Sequence, residues 1–200
     1  MNQEFTKNST YAKKLNLGSG HFPKEGYLNV DFNPLENPDL ILDLNNPKSL
    51  EVLPSGYFEH VVMDHVLEHL SDVFGTMKQV HRLLVKDGIV EIRVPHFSRG
   101  FTHPEHQRSF DVTFPEYMNP KFPGGYIGVE FKPISVKLSW MIRFDLKEIY
   151  IAKWQLNILK IMNSFISWLA NLNPFFCSRF WCNYVGGFEQ VEFIFRKTKS

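Results

Sequence analysis

The residues able to do chemistry in this sequence gather where short apolar runs stop. Residues 15–17 run straight into Gly18-Ser19-Gly20, and later runs stop at Asp31, at Asp43 and at Asp64-His65. A strand entering Gly-x-Gly lets backbone approach a bound molecule closely. The Lys-Ser/Thr of a phosphate-binding loop is missing after it, which disfavours a nucleoside triphosphate. A carboxylate at Asp31 can accept hydrogen bonds from both hydroxyls of a ribose, or close an Asx-turn with Asn33 and Pro34. Asp43 can accept from an adenine amino group or serve as a turn residue. His65-x-x-Glu68-His69 puts two imidazoles at i and i+4 around a carboxylate, the order of an inverted zinc-protease motif, with Glu148 available as a third ligand. The plainer reading has Glu68 and His69 packing at the start of the next helix. After Pro95 comes a loop carrying His96, Arg99, His103, Glu105, His106 and Arg108, with Asp111 nearby. It can supply a general base, or hold an anionic group through Arg99 and Arg108, or bind a metal, or simply be a hydrogen-bonded polar loop. We assign no metal site from the sequence.

These residues need a scaffold that brings strand ends together. Short runs at 14–17, 27–30, 40–42, 60–63 and 89–94, bounded by Gly, Pro, Asn and Asp, read as buried strands. Between the fourth and fifth, Val73, Met77, Val80 and Leu84 recur at helical spacing. Ser71 is placed to cap that helix, with Asp72 in its first turn, Lys86 in its last and Gly88 as its stop. Strand, helix, strand implies a parallel sheet, whose ligands bind at the carboxyl ends of the strands. Only residues 18–26 separate the first two strands, too short for a full crossover helix. Alternation predicts a strand from Phe131 to Trp140 and a last one over 191–195. A helix is predicted over 147–172, striped by Ile151, Trp154, Ile158, Ile161, Phe165, Trp168 and Leu172. Residues 1–12 read as a loose polar arm.

In combination these segments resemble the class I S-adenosylmethionine-dependent methyltransferases. LNLGSG is similar to that family's first glycine motif, NVDFN to its acidic second-strand end, LILDL to its third motif, and HVVMDHVLEHL with LLVKDGIVEIRVP to its fourth strand, helix and fifth strand. The similarity is best for small members associated with sugar or surface-polysaccharide pathways, and it covers residues 13–97. It implies an α/β fold: a Rossmann-like, mostly parallel, doubly wound sheet. The first helix would be shortened or absent, with an aromatic helical elaboration and late antiparallel strands in the C-terminal half. One domain over 1–200 follows, with 13–97 as cofactor-binding core and 98–200 as substrate side. The resemblance implies S-adenosyl-L-methionine as cofactor, held by Leu17, Gly18, Ser19, Gly20, Asp31, Phe32, Asp43, Leu44, Asp64 and His65. It implies His65 or His96 as base, and Arg99, His103, His106 and Arg108 on the acceptor, a small molecule or saccharide.

Composition bounds the alternatives. The 200 residues carry 22 basic and 21 acidic side chains, and no dense Lys/Arg stripe, so a nucleic-acid acceptor is disfavoured. A non-catalytic binding or scaffold protein that keeps the fold, and a transferase of another group from a related cofactor, are the competing readings. Cys177 and Cys182 read as reduced core thiols. With no apolar leader and no run of spanning length, the expectation is a cytoplasmic protein. The stripe over 151–172 suits a core, a homodimer contact or, with Lys147, Lys153 and Lys160, a peripheral membrane contact. Nine of the 30 aromatic residues fall in residues 1–100 and 21 in 101–200, while net charge moves from −3 to +4. The first half thus reads as a cofactor platform, and the aromatics of 97–126 as the walls of an acceptor pocket.

Overall fold

The computed structural model describes residues 12–100 and 103–198. The arm expected over 1–12 therefore lies, Ala12 apart, outside the described residues. Five parallel strands form one side of the sheet: β1 (Lys14–Leu17), β2 (Leu28–Asp31), β3 (Leu40–Ile41), β4 (Phe58–Asp64) and β5 (Leu84–Pro95). The late strands β6 (Phe131–Ser139) and β7 (Gln190–Lys197) pair antiparallel, and β7 also runs antiparallel to β5. The order is β3-β2-β1-β4-β5-β7-β6, so strand order reverses between β1 and β4 and opens a crevice at their carboxyl ends.

The expected short first crossover is present: no helix stands between β1 and β2. This gives the sheet two unlike faces. Register puts Leu15 and Leu17 beside Leu28, Val30, Val61 and Met63, and this face continues through Val90, Ile92, Phe193 and Phe195. It is the core. Phe114 packs its ring on Phe193 there. The opposite face carries Asn16, Asn29, His60, Asp64, Glu91, Arg93 and Glu192. A parallel sheet normally buries both faces under helices. Here the side that lacks its crossover helix is tied together by polar bonds instead. Asn16 Nδ2 donates to Asn29 Oδ1 at 2.9 Å, and His60 lies between Tyr27 Oη and Glu91. Arg93 reaches Asp64 at 3.0 Å and Glu192 at 2.8 Å.

Helix α1 (Val73–Leu83) buries Val73, Met77, Val80 and Leu83. Its cap is Asp72, whose Oδ1 accepts from Gly75 N at 2.7 Å, one residue later than the Ser71 expected. It also ends earlier than expected: β5 begins at Leu84, so Lys86 and Gly88 belong to the strand. The one-turn segment α2 (Phe97–Gly100) follows β5, and α3 (Phe144–Lys147) follows β6. The predicted 147–172 helix is shorter, α4 (Lys153–Ala170), and a further helix α5 (Pro174–Arg179) follows it.

Helix α4 is turned the opposite way from the one its sequence suggests. Asn163, Ser167 and Asn171, spaced by four, face the edge strand β6. Asn171 Oδ1 accepts from Leu138 N and its Nδ2 donates to Leu138 O, both at 2.8 Å. Ser167 Oγ accepts from Trp140 N at 3.1 Å and Asn163 Oδ1 from Met141 N at 2.8 Å. These bonds occupy backbone groups that an edge strand would otherwise offer to another chain. Leu156 and Ala170 complete the inner face, and the aromatic stripe expected to find a partner is left exposed.

Candidate active site

Three cavities open along the carboxyl edge, and His65 lines all of them. Its position follows from the chain: it is the first residue past β4, with a left-handed backbone (φ 56°) and its N–H bonded to Arg93 O at 2.8 Å. Nδ1 donates to Glu68 Oε1 at 3.0 Å, and Nε2 lies 3.2 Å from Gln190 Oε1. Burial alone would push the imidazole pKa down. The hydrogen bond and charge of Glu68, aided by Asp64 and Gln190, overcome that and raise it above the usual value. Glu68 is fully buried, and its Oε2 has no hydrogen-bond partner among the described residues.

The first cavity, about 410 Å³, is lined by Gly18, Phe32, Asp43, Leu44, Asn45, His65 and Val66, among others. Asp43 is exposed, and its Oδ1 accepts from Asn45 N at 2.9 Å. Asp31 is only 6% exposed and is not part of this lining. One oxygen accepts from Gly20 N at 2.8 Å and the other from Asn33 N at 2.9 Å. Its clearest role is therefore to hold the glycine turn in place, and the Asx-turn alternative is what forms.

The second cavity, about 550 Å³, takes in Gly18, Ser19, Gly20, Lys24, Asp64, His65, Arg93, Arg143 and Gln190. Gly18 has φ +69°, and a Cβ there would overlap Val66 Cγ2. The turn thus needs glycine for both reasons, conformation and space. Ser19 Oγ is buried without a hydrogen-bond partner among the described residues. Leu17 is fully buried on the core face, so it supports this wall from behind.

The third cavity, about 580 Å³, is lined by His65, Glu68, His69, Arg99, His103, His106 and Glu189 with Pro95, Ile142 and Arg143. His103 stacks on His106 with ring centroids 4.8 Å apart. His106 Nδ1 donates to Gly100 O at 2.6 Å, which fixes the tautomer and leaves Nε2 a lone pair. Donor atoms of Glu68, His69 and His106 lie within 4.8 Å of one another, a set able to hold a metal ion. Glu148, the residue available as a third ligand for the zinc-protease motif, instead stands near Lys160, outside that set.

Several sequence expectations change. His96 lines none of these three cavities. It is fully buried, its Nδ1 within 2.7 Å of Ser98 Oγ and its Nε2 within 2.8 Å of Ser178 Oγ. Burial pushes its pKa down to about 4. It joins the loop to α5 and is not placed to act as a base. Arg99 lines the third cavity, but its guanidinium is engaged by Gly186 O at 2.7 Å and Glu189 at 3.1 Å. Arg108 is separated from the other acceptor-side residues. It donates to Ser71 O at 3.0 Å and lines a different cavity, with Phe74, Phe97, Phe110, Phe114 and Tyr117. Of the aromatics of 97–126, Phe97, Phe110, Phe114 and Tyr117 thus line this separate cavity rather than the one at His65. Residues the sequence reading left out include Arg93, Ile142, Arg143, Glu189 and Gln190. The start of β7 could have pointed to Gln190, since an antiparallel last strand must begin at the carboxyl edge of its neighbour.

No family model matches the chain, and no curated protein matches it. Solved structures do. A SAM-dependent methyltransferase from Archaeoglobus fulgidus is similar with a TM-score of 0.58 at 16% identity, over 94% of this chain and 88% of that one. An S-adenosylmethionine-dependent methyltransferase from Mesorhizobium loti gives 0.54 at 13%, over 92% and 90%. The [4+2]-cyclase SpnF gives 0.51 at 9%, over 94% and 75%. The chain therefore has the fold these proteins share. Since one of them is named for a cyclisation, the activity has to be argued from the site.

Proposed function

We propose that this protein is an S-adenosylmethionine-dependent methyltransferase acting on a small hydroxyl-bearing acceptor, a saccharide or similar molecule. The observation that carries this is the position of His65 at the meeting point of two cavities suited to the two ends of the cofactor and a third suited to an acceptor. The residues present fit the cofactor. Phe32, Leu44 and Val66 offer apolar walls to a base, and Asp43 an acceptor for its amino group. The Gly18–Gly20 turn offers close backbone approach and Asp64 a carboxylate for an ammonium group. Arg143 and Lys24 offer cations for a carboxylate. S-adenosylmethionine, when bound, supplies a methyl group already made electrophilic by its sulfonium.

What the protein adds is alignment, exclusion of water and a place for one proton. Glu68 holds His65 by Nδ1, so the neutral ring presents its Nε2 lone pair. Nε2 would take up the proton of an acceptor hydroxyl held in the third cavity as that oxygen is methylated. Gln190, within 3.2 Å of Nε2, would be displaced or would orient the hydroxyl. The test is transfer of labelled methyl from S-adenosylmethionine to a panel of sugars, nucleotide sugars and small hydroxyl compounds. His65→Ala should lower turnover about a hundredfold or more, a far larger effect than its loss of cofactor affinity, since His65 is only one of the residues lining the two cofactor cavities. Full turnover in that variant would overturn the role given to His65, and cofactor binding with no transfer to any acceptor would favour a non-catalytic binding protein.

A further inference from the structure

The exposed face of α4 and α5 matches neither a core nor an ordinary solvent surface. Along α4, Trp154 is 65% exposed, Ile161 72%, and Phe165 and Trp168 60% each. Ile158 and Leu172 continue the stripe, and Phe175, Phe176 and Phe180 extend it onto α5. Apolar patches this continuous are rare on monomeric soluble proteins unless something covers them. Nor can the helix roll to hide the stripe, because Asn163, Ser167 and Asn171 fasten its polar side to β6. The fold thus holds an amphipathic helix with its apolar side outward.

We propose that this face docks on the surface of an anionic lipid bilayer, with α4 lying in the interface plane. Charge selects that occupant. Residues 149–188 hold Lys153, Lys160 and Arg179 and no Asp or Glu. Arg179 is paired with Asp111 at 2.8 Å and Lys160 stands 3.9 Å from Glu148, while Lys153 makes no ion pair among the described residues. Aromatic rings beside lysines, with no carboxylate on the same stretch, are the composition that suits the headgroup boundary. A second copy fits less well, because a two-fold contact sets the same patch against itself and brings like charges together. The attachment is superficial: among the described residues no helix is long and apolar enough to cross a membrane. The inference does not depend on the methyl-transfer reading.

The experiment is co-sedimentation of the full chain with two vesicle preparations, phosphatidylcholine alone and phosphatidylcholine with about a third phosphatidylglycerol. The wild type should sediment with both, about fivefold more tightly with the anionic one, and brominated lipid should quench its tryptophan fluorescence. The double variant Phe165→Ser/Trp168→Ser should lose at least about tenfold in partition with its melting temperature kept, since both side chains are exposed. If that variant melts early, Ile161→Asn carries the same test. Lys153→Glu should remove most of the preference for anionic lipid and leave the rest. A wild type that stays in the supernatant of both preparations overturns the proposal, as does undiminished binding by the folded variants. So does a stable dimer in light scattering that the double variant dissociates, which would assign the face to a second copy.

Discussion

His65 is where burial and charge act against each other, and its titration should be visible in the chemistry. As a base it must be neutral, and its pKa is raised, so turnover should fall as pH drops through a value above 6.5. Glu68→Gln removes the charge and alters the bond that raise it, so the acidic limb should move to lower pH, read as the pH profile of kcat/KM. His96 behaves oppositely. Unfolded, it binds a proton below about pH 6.5, whereas the folded ring resists one until about 4. The unfolded state therefore holds more protons across that window, and stability should fall as pH drops through it, by roughly 3 kcal/mol in all. Thermal melts from pH 7 to 4 measure this, and His96→Gln should flatten the slope relative to wild type. Gly18 is fixed by geometry: Gly18→Ala adds a Cβ into Val66 at a backbone angle that favours glycine. It should weaken cofactor binding at least about tenfold, measured by calorimetry, while Asp43→Ala should weaken it with little change in stability because its side chain is exposed.

Among the elements, those built on strict period were legible and those built on compensation were not. The five parallel strands and α1 announce themselves by apolar runs between turn residues. Their ends slipped where local signals competed: Asp72 rather than Ser71 caps α1, and Gly88 looks like a helix stop but lies within β5. The short stretch over 18–26 argued against a crossover helix, and none stands between β1 and β2. What that omission demands, a polar network across the bare face, was unreadable because His60, Glu91, Arg93 and Glu192 are distant in sequence. In α4 the apolar stripe suggested an inward face, but Asn163, Ser167 and Asn171 form an equally regular polar stripe, and that one faces the sheet. Asn171→Ala should cost about 1–3 kcal/mol in denaturant unfolding, since it strips two bonds from Leu138.

Over the whole molecule, the contrast between an acidic, aromatic-poor first half and a basic, aromatic-rich second half resolves into three uses of space. The first half builds the crevice at the carboxyl ends of β1 and β4. The second places Phe131, Phe188, Phe193 and Phe195 in the core and turns another aromatic set outward on α4 and α5. The wall proposed for the cofactor was legible as a cluster because its residues end strands. The acceptor side was legible only in Arg99, His103 and His106; Arg143, Glu189 and Gln190 arrive from loops and a last strand that only the folded chain brings to His65. The proposed methyl transfer requires that crevice to be a cofactor site. Calorimetric titration of the purified chain with S-adenosylmethionine and with its demethylated product tests it most directly. One-to-one binding of both is expected, with micromolar dissociation constants, and a marked loss in Gly18→Ala. Heat indistinguishable from dilution, with the protein folded, would contradict it.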